Sequence, residues 1–134
     1  MKAIEELTLP DDVRYTEDHE WAVQEGDQIA VGLTDYAQDQ LGDIVFVELP
    51  GVGESFEKGA VFGTVESVKA VAELFSPTQG RIVEINTSLE DAPELANTSP
   101  YEKGWLVRMA PSGEADVDTL MDKAAYLKFL EGLA

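Results

Sequence analysis

The stretch Gly63-Thr-Val-Glu-Ser-Val-Lys-Ala-Val-Ala-Glu-Leu-Phe-Ser-Pro77 decides how this chain is to be read. Two runs that alternate apolar and polar residues flank a single lysine, Lys69, with Glu66 before it and Glu73 after it. Strict alternation over a few residues is the mark of a half-buried strand. The spacing therefore predicts a strand, a tight turn with Lys69 at its tip, and a second strand. A chain this acidic holds one cation at an exposed apex, and the surrounding sequence has to say why.

Outward from this hairpin, Asp43–Leu49 (DIVFVEL) and Ala60–Glu66 (AVFGTVE) precede the lysine, while Val71–Phe75 (VAELF) and Gly80–Ile85 (GRIVEI) follow it. Pro50-Gly51, Ser76-Pro77 and Gln79-Gly80 punctuate them as turns. The run GDIVFV from Gly42 resembles GRIVEI from Gly80, and KGAVF from Lys58 resembles KGWLV from Lys103, at offsets of 38 and 45. The difference places about seven additional residues in the second copy, within Glu90–Glu102 (EDAPELANTSPYE). Two such β-units bury their apolar faces against each other, which predicts a closed or nearly closed sandwich with Lys69 at the junction.

Nearer the start, Trp21–Gln24 and Gln28–Leu33 surround Glu25-Gly26-Asp27, a hairpin signal. A short helix is expected over 34–41, with Thr34 as its cap, Asp35 in its first turn and Gly42 as its stop. The end of the chain carries Val117, Leu120, Met121, Ala124, Leu127 and Leu130 at helical spacing. An amphipathic helix over about 116–131 follows, capped by Asp116 or Asp118, ended by Gly132 and packed on the sheets. The fold class read here is mainly β: a hybrid barrel-sandwich with a short helix in the first half and a C-terminal helix, residues 1–134 forming a single carrier-sized domain.

Composition narrows the partners. There are 27 Asp plus Glu against 9 Lys plus Arg, a net charge of −18, which repels phosphate backbones and anionic lipid head groups. Neither nucleic acid nor membrane is expected as a partner, whereas basic protein surfaces are attracted. With no cysteine there is no disulfide framework and no thiolate site. The first residues form neither an apolar leader nor a basic amphipathic one, so the chain reads as cytoplasmic, beginning at its own Met1.

Catalytic candidates fail one by one. His19 is the only histidine, and no local motif supplies the hydroxyl and acid of a nucleophilic triad. One histidine and no cysteine leave only an all-oxygen metal site, and no calcium-loop spacing is present, so no metal is expected. Carboxylate pairs are too abundant to discriminate anything, and there is no phosphate-cradling glycine loop. The chain is read as no enzyme. Lys69 remains: a nucleophilic amine on a flexible stem, held by the hairpin residues Glu66, Ser67, Val68 and Ala70, suits covalent attachment of a cofactor that reaches outward.

Taken together, the segments RYTEDHEWA, VGLTDYAQDQLGDIVFVELP, GTVESVKAV, SPTQGRIVEIN and PELANTSPYEKGWL resemble the glycine cleavage system H-protein family from about Arg14 to the C-terminal helix. Biotin carriers flank their lysine with methionines, whereas Val68 and Ala70 stand here; lipoyl domains of the 2-oxoacid dehydrogenases show Asp-Lys-Ala. The resemblance implies lipoic acid in amide linkage on Lys69, attached by a lipoate-protein ligase or an octanoyltransferase. It implies three client enzymes: glycine dehydrogenase (decarboxylating), or P-protein; aminomethyltransferase, or T-protein; and dihydrolipoyl dehydrogenase, or L-protein. The carrier is expected to be a monomer. Family likeness also implies a cleft that shelters the loaded arm, for which Glu20, Glu73 and the adjacent His19 are the matching positions; Glu73 departs from the family's aspartate. Glu66, three residues before the lysine, is a candidate for recognition by the attaching enzyme. Two other readings stay open: a lipoyl donor serving other carriers, and an acidic interaction module whose Lys69 is never modified.

Overall fold

The computed structural model describes residues 2–112 and 117–133. After a 3-10 turn at Ile4–Glu6 the elements are β1 (Arg14–Tyr15), β2 (Glu20–Glu25), β3 (Gln28–Leu33), α1 (Asp35–Leu41), β4 (Ile44–Glu48), β5 (Ser55–Phe56), β6 (Val61–Ser67), β7 (Val71–Phe75), β8 (Gly80–Ile85), α2 (Ser88–Asp91), α3 (Leu95–Thr98) and β9 (Val107–Pro111). A second 3-10 turn, Val117–Thr119, leads to α4 (Lys123–Leu133). Strands β1-β2-β3-β9-β8-β5 form one sheet and β4-β6-β7 another, and the two are not closed into a barrel. This is the mainly β architecture, with one early and one C-terminal helix, that the alternating runs led us to expect.

Between the sheets lies the main core. Ile44, Val47, Phe62, Val65 and Leu74 of the small sheet belong to one buried cluster with Ile29, Val31, Ile82, Val107 and Met109 of the large one. A second cluster holds Leu9, Val13, Tyr15, Trp21 and Ala30 against Tyr126 and Leu130 of α4. Tyr15 and Tyr126 stack with centroids 4.5 Å apart, an offset-stacking distance that fixes how the helix sits on the sheet.

Trp21 explains a glycine in the neighbouring strand. It pairs with Gly32, and a Cβ added there would lie 2.5 Å from the indole Cε2 and Nε1 atoms. The indole has no room to yield, because it is buried and its Nε1–H donates to Pro100 O at 2.9 Å. Gly32→Ala is therefore expected to cost about 1–3 kcal/mol by overpacking, measured as a lower midpoint of urea unfolding. An unchanged midpoint would mean that the indole is free to shift.

The internal repeat survives in one half and fails in the other. Both β4 and β8 carry a bulge, between Ile44 and Phe46 in the first and between Ile82 and Glu84 in the second, at equivalent positions of the two copies. Their partners, however, correspond as Ser67 to Met109 and Val65 to Val107, an offset of 42 and not 45. The likeness of the two Lys-Gly turns is thus three residues out of structural register. Strand pairing is set by which face must be buried, and turn sequences can drift against it.

The additional residues of the second copy fold as α2 and α3, two single helical turns absent from the sequence reading. Each has four residues, too short for a periodicity to show. At the C-terminus the α-helix begins at Lys123, later than the expected start near 116; residue 116 itself lies outside the described residues. The reason is a backbone exchange between Tyr15 and Met121, at 2.8 and 3.0 Å, which holds Met121 extended. Asp122 then caps the helix by accepting from Ala125 N at 2.8 Å, in the place given to Asp116 or Asp118, and Gly132 lies within the last turn.

Candidate functional site

Lys69 projects from the loop between β6 and β7, exposed, with no hydrogen-bond or ion-pair partner for its amine among the described residues. The turn beneath it contains no glycine and no left-handed residue. Its rigidity comes from Ser67. The buried Ser67 hydroxyl accepts from Ala70 N (3.0 Å) and Lys69 N (3.3 Å) and donates to Ala70 O (3.2 Å), while Ser67 N donates to Ala70 O (2.8 Å). A serine hydroxyl so placed substitutes for a turn's backbone bonds. Val68 and Ala70, flanking the lysine, are exposed, as is Glu66.

Beneath the tip is a floor that the sequence did not advertise. Val68 N donates to Asp43 O at 3.0 Å, tying the turn to the segment just after α1. Gly42 follows that helix with φ +76°, and a Cβ there would stand 3.0 Å from Lys69 Cε, so the lysine stem lies across bare glycine backbone. Asn97 of α3 fixes this floor: its Nδ2 donates to Gly42 O (2.9 Å) and Gln38 Oε1 (3.0 Å), and its Oδ1 accepts from Ile44 N (2.9 Å). Thr34 starts α1 as expected, accepting from Ala37 N at 3.1 Å. Of the missed residues, Gly42 and Asp43 act through their backbone and Asn97 through its side-chain amide, and only the position of Gly42 at a helix end was legible.

Glu20 lies elsewhere, at 1% exposure, its Oε2 accepting from Phe75 N at 2.7 Å. Its Oε1 has no partner among the described residues. Burial pushes this carboxyl up to about 8, the Phe75 N–H acting in the opposite direction. The residue borders a cavity of about 270 Å³ formed with Tyr15, Asp18, Ser76 and Pro77 among others. Glu73 is exposed on β7, two residues before Phe75 and opposite Thr64. Glu20 and Glu73 are thus brought to one strand, the first behind its edge and the second on its open face.

His19 is turned another way. It adopts φ +66°, its Nδ1 meets Tyr126 Oη at 2.9 Å, and its ring packs 4.5 Å from that of Tyr36 and 5.9 Å from those of Tyr126 and Phe129. Tyr126 Oη also meets Thr34 Oγ1 at 2.9 Å, so the histidine belongs to a network joining α1 to α4. Burial holds its imidazole below the ordinary range. Among the described residues no group of three or more His, Asp or Glu is arranged to hold a metal, and no helix is long and apolar enough to cross a membrane.

What this arrangement offers chemically is one reachable amine on a fixed turn, which fits a group carried in amide linkage and swung outward. Comparison with known proteins gives a consistent picture. The family model described as glycine cleavage H-protein matches residues 13–132. A glycine cleavage system H protein of Anaeromyxobacter sp. (strain K) is 54% identical over 125 residues, 93% of this chain and 98% of that protein. One from Bacteroides fragilis is 52% identical over 120 residues, 90% of this chain and 95% of its own length. The crystal structure of a glycine cleavage system H protein from Mycobacterium marinum superposes with a TM-score of 0.82 at 39% identity, covering 92% of this chain and 99% of that one.

Proposed function

Since the chain belongs to the glycine cleavage H-protein family, a family of lipoyl carriers, we propose that Lys69 is the residue on which it carries lipoic acid. The observation that carries this reading is the exposed Lys69 amine, unpaired among the described residues, at the tip of a turn tied down by Ser67 and by Asp43. Its role in glycine cleavage is that of a shuttle serving the P-, T- and L-proteins, with no chemistry of its own. When bound, lipoic acid supplies the disulfide that accepts the aminomethyl group of glycine and the two electrons of its decarboxylation.

The protein's part is attachment, orientation and shelter. Ser67 and Asp43 hold the pivot still, so that movement is confined to the lysine side chain. In our reading, Glu20 and Glu73 line the place where the loaded arm rests: the exposed Glu73 carboxylate faces a cargo that is a primary amine and positive near neutral pH, while the buried Glu20, which keeps its proton up to about pH 8, presents a neutral hydrogen-bonding carboxyl. His19 supports that place from behind through Tyr126. Glu66, exposed three positions before the lysine, is read by the lipoate-protein ligase or octanoyltransferase. The carrier works as a monomer in the cytoplasm.

The test is the mass of the intact chain before and after incubation with lipoate, ATP and a lipoate-protein ligase, followed by a peptide map. One lipoyl group on Lys69 is expected. Modification at Lys58 or Lys103 would move the site. An unchanged mass would favour an interaction module whose lysine is never acylated. A carrier that passes its lipoyl group to other acceptor domains would be revealed by transfer in a purified mixture.

A further inference from the structure

Seven large hydrophobic side chains are exposed among the described residues, and four of them gather around one lysine. Val45, Phe46, Val68 and Val71 are between 49% and 68% exposed, on β4, on β7 and at the tip between β6 and β7. The bulge in β4 produces this, because the added residue breaks alternation and turns Val45 and Phe46 outward in succession. Two cross-strand rows follow on the outer face of the small sheet: Phe46, Glu66, Val71 and, beside it, Glu48, Thr64, Glu73. An apolar cluster interleaved with acid marks a surface built to be covered.

We propose that this face, centred on Phe46, Glu66 and Val71, is where the enzyme that acylates Lys69 docks, with an apolar centre on that enzyme and basic side chains around it. The inference rests on the carrier reading and adds the surface by which the acceptor is recognised.

Two arguments select this occupant. An enzyme that joins an acyl group to Nζ has to bring its own active site to that atom and so must cover the protein beside it. Enzymes that use the far end of the arm need not bring their active sites to Nζ, so contact beside the lysine is obligatory for the acylating enzyme alone. Charge gives the second argument. Asp43, Glu48, Glu66 and Glu73 are all exposed, and none of their carboxylates has a hydrogen-bond or ion-pair partner among the described residues. Basic groups on the incoming surface would complement them and speed encounter. In the step itself the deprotonated Nζ attacks the carbonyl carbon of a lipoyl adenylate. The new C–N bond forms as the bond to the adenylate oxygen breaks, AMP leaves with the electron pair, and the extra amine proton passes to solvent.

Steady-state acylation of the unmodified full chain by purified lipoate-protein ligase, read by intact mass, tests the surface. Phe46→Ser and Val71→Ser are expected to raise KM for the carrier about tenfold with kcat little changed, as for apolar residues at the centre of an interface. Their affinity for the ligase, measured by calorimetry without ATP, should fall in parallel. Val52→Ser removes an equally exposed valine (62%) from the turn after β4 and is expected to behave as wild type. Raising ionic strength should increase KM for wild type and less so for Glu48→Gln/Glu66→Gln. Urea unfolding confirms that each variant is folded. Wild-type KM and affinity in both apolar variants would overturn the docking face while leaving the carrier role intact. Failure of wild type itself to be acylated would overturn both.

Discussion

Lys69→Arg is expected to reduce lipoylation and glycine cleavage in a reconstituted mixture to background, while leaving unfolding within about 0.5 kcal/mol of wild type. Arginine keeps the charge, the length and the exposure of the residue. It does not surrender a proton at any ordinary pH, so it offers no free amine for amide formation. The lysine side chain rests on Gly42 without a hydrogen bond or ion pair of its own among the described residues, and the turn is held by Ser67 and Asp43. Hence nothing structural is lost with it. Lys69→Ala should behave alike, which separates the loss of the amine from any effect of guanidinium bulk. Lipoate uptake by the arginine variant, with glycine cleavage persisting, would place the arm on another lysine.

Glu20→Gln is expected to change the pH dependence of stability more than any other single substitution in this chain. Burial raises the folded carboxyl to about 8 from an ordinary 4.5, with the Phe75 N–H only partly opposing it. A group whose folded value is raised keeps its proton in the native state when the unfolded chain has released it. Its favourable contribution is therefore complete below about pH 4.5 and is lost as pH rises through about 8. Glutamine has no proton to lose. Unfolding followed from pH 4 to 9 should show the wild type losing about 2–4 kcal/mol relative to the variant across this window. The two should be closest at the acid end. Parallel curves would mean that the Glu20 carboxyl ionises normally. The same variant, with Glu73→Gln beside it, bears on shelter of the loaded arm. Both are expected to speed loss of its aminomethyl cargo, and an unchanged rate would remove these two side chains from that role.

The strands were legible because burial imposes alternation, and the hairpin around Gly26, the capped helix at Thr34 and the tip at Lys69 follow from local rules. The place of each strand in a sheet was not. Pairing β3 with β9 joins residues nearly eighty positions apart, and no local pattern encodes such a meeting. The bulge at Val45 was hidden for a related reason, since Ile-Val-Phe-Val reads as a continuous apolar strand, and only pairing with β6 decides which two neighbours turn outward. At the site, Lys69 stood out by its position between two β-units, whereas Asn97 looked like one more polar loop residue. Its importance lies in three hydrogen bonds to a distant helix end and strand start. Glu20 shows the same limit. Its type was conspicuous beside Trp21, but its burial and its bond to Phe75 N arise from the meeting of two sheets.

A pivot pinned from below at Asp43 and laid across Gly42 has one origin for every excursion it permits. Catalysts that need the travelling end must come one after another to the same small sphere of space, because a single tether offers a single terminus. Sequence among them is then enforced by occupancy alone, with no requirement that the body of the carrier change shape between visits.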